Sequence, residues 1–281
     1  MKNQVRKSTG QVAAFAVMLV ITIIMVFPLL WLLSASFQGP GEVYLIPFHW
    51  IPRTWQFNNY VVAWKDAGLF QAMCSSMVVS IIYIAIHLTV CSITGYVFAK
   101  FDFKGKNLIF MLIIGTMMIP QDLTYLPLYD IVKKMHLVNQ YLGVALPLCI
   151  SATGVFMMRQ FAKSVPNAIL EAAKVDGCGN AGTFFRIGLP MLKDGIIALA
   201  ILAFSYIWNE FTWSKIILMS NSKATLPLAL TAMVSNLQTH HDFSISNVLA
   251  SSVIALIPVV VIFAVFQKNF IESMVSSGIK G

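Results

Sequence analysis

The chain has 281 residues, of which 58% are hydrophobic and only 11% charged, with a mean hydropathy of +0.78 and a formal net charge of +8. Soluble domains carry about a quarter charged residues, so this balance excludes an ordinary water-soluble enzyme and specifies a membrane protein. The positive charge does not make a nucleic-acid binder: no basic stripe interleaves with exposed aromatics, and Lys and Arg gather in the cytoplasmic loops of membrane proteins.

In chain order, six apolar segments reach the ~20 residues of helix that the hydrocarbon core requires: 12–33, 77–98, 108–128, 141–158, 195–219 and 248–266. The first follows Lys2, Arg6 and Lys7 and precedes Ser34-Ala35-Ser36, the outline of a signal peptide. Its apolar core exceeds the roughly 7–15 residues of a signal h-region, so a retained helix is expected. With the amino terminus inside, thirteen of the 19 Lys and Arg fall in cytoplasmic segments and only Arg53, Lys65, Lys133, Lys134, Lys215 and Lys223 fall outside. That excess predicts both termini in the cytoplasm, with Lys133-Lys134 the one pair against it. Loops 34–76, 129–140 and 220–247 are then outside, and 99–107 and 159–194 inside. Trp50, Pro52, Trp55 and Tyr60 mark the first outer loop as a folded or interfacial excursion. No repeat or linker suggests a second domain, so an all-α single membrane domain over 1–281 is expected.

The inner segment 164–190 is unlike its surroundings. Ser164 can cap a helix, Pro166 suits its first turn, and Asn167 to Asp176 are mostly good helix formers. Gly177 is a natural stop. Ile169, Ala172, Ala173 and Asp176 stand at i, i+3, i+4 and i+7, a shared face whose alanines admit a close partner. A second short helix after Asn180 would present Phe184, Phe185 and Ile187 before Pro190 opens the next span. Periodicity alone also allows an amphipathic helix on the bilayer surface, although such helices usually offer larger apolar residues and several lysines.

Own chemistry is missing from the pattern. No G-x-x-x-x-G-K-[ST] phosphate loop occurs, nor Gly-x-Ser-x-Gly, His-Glu-x-x-His or a glycine-rich dinucleotide loop, so no catalytic residue is assigned. Cys74, Cys91, Cys149 and Cys178 lack C-x-x-C pairing and read as packing residues. The five histidines, His240-His241 included, lack metal-ligand spacing, and no metal site is expected. Polar groups in the spans are costly, and Gln121-Asp122 and Trp208-Asn209-Glu210 stand out. They either line a translocation path or hydrogen-bond between helices beside a wet vestibule.

Glu171-Ala-Ala-Lys-Val-Asp-Gly177, with Phe184 and Leu189-Pro190 after it, resembles the cytoplasmic coupling segment of permease subunits in binding-protein-dependent ABC importers. It departs at Cys178-Gly179, where the family usually carries Ala and Ser or a similar small residue. Pro28 with Trp31, Asn59-Tyr60, Pro120 with Pro127-Leu128, Trp208-Asn209 and the ending from Lys268-Asn269-Phe270 to Gly278-Ile279-Lys280-Gly281 are similar to the sugar-importing branch. The nearest likeness is the six-helix partner of the maltose-type pair, with the type I importer permease fold.

The resemblance implies a multi-pass subunit of a bacterial or archaeal cytoplasmic membrane that forms half of a sugar pore with a second, homologous permease. Two partner ATPase subunits would bind ATP and Mg, leaving no cofactor in this chain. They would grip Glu171, Ala172, Ala173, Asp176, Gly177, Phe184 and Pro190. An extracytoplasmic solute-binding protein would deliver the sugar to the outer loops, with Thr225-Leu226-Pro227 reaching its cleft. Gln121, Asp122, Trp208, Asn209 and Glu210 would be the path. Two alternatives stay open: a permease for another solute, such as glycerol phosphate, and an ion-coupled secondary transporter, against which stands the missing inverted repeat.

Overall fold

The structure is a computed structural model that describes residues 2–65, 68–237 and 244–278. His240-His241 and the last three residues of the sugar-permease-like ending lie outside them. Among the described residues every regular element is a helix, as a backbone in lipid requires, since only a helix satisfies its own amides within one segment.

The long helices α1 (Lys2–Ser36), α3 (Leu69–Lys100) and α14 (Ile245–Gly278) flank a series of shorter ones: α2 (Asn58–Lys65), α4 (Lys106–Gly115), α5 (Tyr125–Lys134), α6 (Tyr141–Leu148), α7 (Ala152–Ser164), α8 (Asn167–Val175), α9 (Asn180–Thr183), α10 (Leu189–Met191), α11 (Lys193–Trp208), α12 (Thr212–Ile217) and α13 (Leu226–Asn236). Three stretches, Gln11–Ser36, Leu69–Lys100 and Ile245–Gln267, are each long and apolar enough to cross a bilayer. The other three expected spans are broken. Lys106–Met118 meets Gln121–Lys134 at 101°, Tyr141–Leu148 meets Ala152–Ser164 at 54°, and Asn180–Met191 meets Lys193–Trp208 at 73°. Six crossings result if each bent pair counts as one.

The first two breaks have a local cause. Pro120 lacks an N–H and forces its neighbour out of helical geometry, so Ile119 and Pro120 are extended between two short 3-10 turns. Ser151 is extended and its hydroxyl accepts from the Gly154 amide at 2.9 Å, an N-cap that starts a new helix inside an apolar run. The fifth run, expected over 195–219, ends as a helix at Trp208 and restarts at Thr212. At the other end, α3 begins at Leu69, eight residues ahead of the expected 77.

Contacts divide the chain into two units, Met1–Leu69 with Leu230–Leu256, and Phe70–Ala229 with Ile257–Gly281. In the first, the loop after α1 is folded around buried polar anchors. Asn59 Nδ2 donates to the carbonyls of Ser36 at 2.9 Å and Gln38 at 3.0 Å, and the Glu42 carboxylate accepts from the Arg53 amide at 2.8 Å and the Gly39 amide at 3.2 Å. Phe37 packs on Trp55, Phe57 and Tyr60, and Trp50 on Phe27 and Phe48. Burial raises the pKa of Tyr60, which bonds Ser36 as a neutral hydroxyl at 2.7 Å.

The second unit has two cores. One gathers Val79, Tyr83, Val144, Ile207, Trp213 and Ile217 from α3, α6, α11 and α12. The other gathers Cys91, Tyr96, Phe98, Met158, Leu170, Phe184 and Leu199 and seats the 164–190 segment on the end of α3. Small residues set the helix spacing. A Cβ on Gly95 would lie 2.6 Å from Met158 Cβ and 2.7 Å from the Arg159 nitrogen, so α3 and α7 touch almost backbone to backbone.

Candidate functional site

The segment 164–190 folds as two short helices and a turn pinned to the neighbouring bundle. Its expected cap is corrected: Ser164 is the last residue of α7, its hydroxyl donating to the Phe161 carbonyl at 2.8 Å. The extended Val165-Pro166 pair separates the helices, and Pro166 stands at the N-cap of α8 without a side-chain bond. The stop is as the sequence predicts. Gly177 has φ +85°, its amide donates to Lys174 O at 3.1 Å, and the Cys178 amide donates to Ala173 O at 2.9 Å. These two bonds form a Schellman motif. Cys178 enters it through its backbone amide.

The expected common face of α8 divides. Ile169, Ala172 and Asp176 are exposed with Glu171, while Ala173 turns inward with Leu170 and is 6% exposed. Val175 at the tip is 87% exposed. The outward surface is thus apolar and small-to-medium, with carboxylates at Glu171 and Asp176. Glu171 also borders a polar hollow of about 220 Å³ shared with Lys100, Asn167 and Lys174.

The inner face is tied down. Lys100 Nζ donates to Asn167 Oδ1 at 2.8 Å and to the Val165 carbonyl. Phe184 is buried, its ring centroid 4.9 Å from those of both Tyr96 and Phe185. From Phe184 to Gly188 the backbone forms a π turn, and a Cβ on Gly188 would lie 2.8 Å from the Tyr96 ring. Pro190 directly follows the π turn, near the end of the continuous helical run Asn180–Met191. The segment is thus joined to the end of α3 through Lys100 at α8 and through the Tyr96–Phe184 ring contact after it.

The expected path residues are not one cluster. Gln121 borders a cavity of about 490 Å³ with Thr124, Ser151, Thr153 and Tyr206, and its Nε2 donates to the Tyr206 hydroxyl at 2.6 Å. Asp122, Trp208, Asn209 and Glu210 do not line it. Asp122 is exposed. Trp208 is buried and stacks on Phe204 at 5.1 Å, and Asn209 Nδ2 donates to the Ser205 carbonyl at 2.8 Å. Glu210 caps α12: its carboxylate accepts from the Trp213 amide, the Ser214 amide and the Ser214 hydroxyl, each at 2.7 Å. The sequence reading overlooked Tyr206. Its signal was a lone hydroxyl on the face Leu199, Leu202, Ala203, Tyr206, spaced i, i+3, i+4, i+7.

Thr225 and Leu226, expected at a binding protein's cleft, are instead 3% and 1% exposed, and the Leu226 amide donates to Ser76 Oγ at 2.7 Å. Among the described residues no three His, Cys, Asp or Glu are grouped to hold a metal.

Residues 91–275 match the family model described as binding-protein-dependent transport system inner membrane component. The arabinooligosaccharides transport system permease protein of Halalkalibacterium halodurans is 36% identical, over 93% of this chain and 93% of that one. The sn-glycerol-3-phosphate transport system permease protein of Yersinia enterocolitica is 29% identical, over 93% of this chain and 95% of its own. Among solved structures, a bacterial ABC transporter involved in the import of the acidic polysaccharide alginate superposes with a TM-score of 0.81 over 92% of this chain and 95% of that chain. At 18% identity that likeness speaks for the fold alone. With this fold and a match across 91–275, the chain belongs to the inner membrane components of binding-protein-dependent transport systems.

Proposed function

We propose that this protein is one permease subunit of an ATP-driven importer for a neutral oligosaccharide, coupled to its ATPases through the Glu171–Gly177 helix. The observation that carries the coupling is the two-sided character of α8. Its inner face is fixed to α3, and its outer face leaves Glu171, Ala172, Val175 and Asp176 exposed, with no described element of this chain covering them. A partner ATPase binding that face and changing shape with ATP would shift a rigid body between two states. The chain carries no phosphate-binding loop, so ATP and Mg belong to the partner subunits.

In this reading both termini are cytoplasmic, the protein spans a bacterial or archaeal cytoplasmic membrane several times, and a second homologous permease completes the pore. The folded outer loop after α1 receives the solute-binding protein. The carbohydrate assignment is supported by the arabinooligosaccharide relative and by the lining of the 490 Å³ cavity, which holds no Lys, Arg, Asp or Glu. A glycerol phosphate path would need cations there.

The test is co-expression with the neighbouring transport genes, purification on a tagged permease, and uptake in proteoliposomes. ATP-dependent uptake of an oligosaccharide, requiring the binding protein and surviving an uncoupler, is expected. Uptake driven by an ion gradient without an ATPase would sink the proposal.

A further inference from the structure

We infer that this subunit touches the transported sugar itself, on a site built around Tyr206 and Gln121. The inference rests on the oligosaccharide reading above and adds where in this chain the solute is held.

The cavity of about 490 Å³ lies within the roughly 300–1,000 Å³ usual for small-molecule sites. Its lining contains no Lys, Arg, Asp or Glu, and its one histidine, His87, has Nδ1 committed to the Cys149 carbonyl at 2.8 Å. It offers the Gln121 amide and the hydroxyls of Thr124, Ser151, Thr153 and Tyr206 instead. Uncharged donors and acceptors match sugar hydroxyls. A phosphate or carboxylate entering there would lose water and meet no Lys or Arg counter-charge.

Two of the helix breaks supply this polar rim. Gln121 and Thr124 stand on the turn after Pro120, and Ser151 and Thr153 on the start of α7. Interrupted backbone at membrane depth is tolerated where it lines a cavity. The wall opposite is a face of α11 on which Leu199, Leu202, Ala203 and Tyr206 run about 10 Å along the axis.

Tyr206 is the platform. Gln121 Nε2 holds its hydroxyl at 2.6 Å, and its ring lies 5.9 Å from that of Tyr83, which stacks on His87 at 5.0 Å. The residue is nevertheless 41% exposed. A fixed, open aromatic face beside an amide suits the C–H face of a sugar ring, with polar groups at its edge to fix orientation. Accepting from Gln121, the Tyr206 hydroxyl keeps its own proton to donate, and Gln121 keeps its carbonyl oxygen to accept.

The test uses the complete importer in proteoliposomes with its binding protein, supplied with labelled arabinotriose, maltotriose or glycerol 3-phosphate. Sugar moved per ATP hydrolysed is the readout, and co-purification of the ATPase subunits checks assembly. Wild type is expected to import a trisaccharide. Tyr206→Ala should lower the ratio about tenfold, equivalent to about 1.4 kcal/mol. Tyr206→Trp, which restores an aromatic face, should keep at least half of it, and Gln121→Ala should lower it a few-fold. Gln121→Ala and Tyr206→Trp carry the test if Tyr206→Ala does not assemble. Wild-type ratios in Tyr206→Ala or Gln121→Ala would overturn the site, as would equal losses in the Ala and Trp variants at 206. Import of glycerol 3-phosphate and neither sugar by the wild type would remove the substrate reading and the site together, and would be seen before any variant is made.

Discussion

Replacing Glu210 by glutamine and by alanine separates a carboxylate that holds the fold from one that meets the solute. The residue is 8% exposed, and its two oxygens accept three bonds of 2.7 Å from Trp213 and Ser214. Hydrogen bonds to a charged group are worth about 1.5–3 kcal/mol net. Glutamine keeps one acceptor oxygen but turns an amide N–H2 toward a donor, so it should cost about 2 kcal/mol. Alanine leaves two backbone amides and a hydroxyl without their acceptor, roughly 4 kcal/mol, at the head of a helix whose Trp213 and Ile217 are 0% exposed core. For a chain of this length those losses lower the melting temperature by about 5 and about 10 °C. Thermal unfolding of the purified protein by intrinsic tryptophan fluorescence measures them. Uptake by Glu210→Gln, assayed well below its melting temperature, should stay within about twofold of wild type. Unchanged melting with uptake abolished would refute the capping role and return Glu210 to the path.

Other consequences follow from the same geometry. Gly177 has φ +85° with open space where a Cβ would go, so Gly177→Ala should cost only backbone strain of about 1 kcal/mol. Binding-protein-stimulated ATPase should then fall a few-fold for Ala, little for Asn and much further for Val; full activity in Gly177→Val would show that the turn is dispensable. Gly95→Ala drives a Cβ to 2.6 Å from Met158 and onto the α7 backbone. About 1–3 kcal/mol of overpacking should appear as a lower melting temperature, and an unchanged one would contradict the close α3–α7 approach. Asn59→Ala removes two bonds that hold the first outer loop, at 2.9 and 3.0 Å. Limited proteolysis should cut this loop faster, with about 1–2 kcal/mol of local stability lost; an unchanged digestion rate would count against the anchor.

The helical class, the isolated 164–190 segment and its glycine stop were legible because each has a short-range cause. Apolar length marks spans, and Gly177 marks a left-handed residue wherever a helix must end. The breaks were not legible in the same way. Hydropathy runs on through Pro120, Ser151 and Asn209, while the backbone turns on capping bonds that average hydropathy does not register. Ser164 misled for a related reason. A serine suits a cap, but Ala152–Ser164 already extends through it and Val165-Pro166 sets the boundary. Ala173 turned inward because α8 packs on α3 and Phe184, a tertiary fact that a helical wheel of nine residues does not contain. Among the polar residues of the spans, charge drew notice to Glu210, whereas the cavity's polar groups are hydroxyls, an amide and the His87 imidazole. Tyr206 counts as apolar in a hydropathy sum, so its place on the cavity wall emerges only when the broken helices are seen to converge.

The measurement that bears most directly on the account is ATP hydrolysis by the assembled importer carrying Glu171→Lys, with and without sugar-loaded binding protein. Glu171 is exposed on the outer face of α8, so the change should leave folding and membrane insertion intact. In this variant the binding protein should no longer raise hydrolysis above its basal rate, and uptake should stop with it. Stimulation equal to wild type in a correctly assembled complex would contradict coupling through this helix.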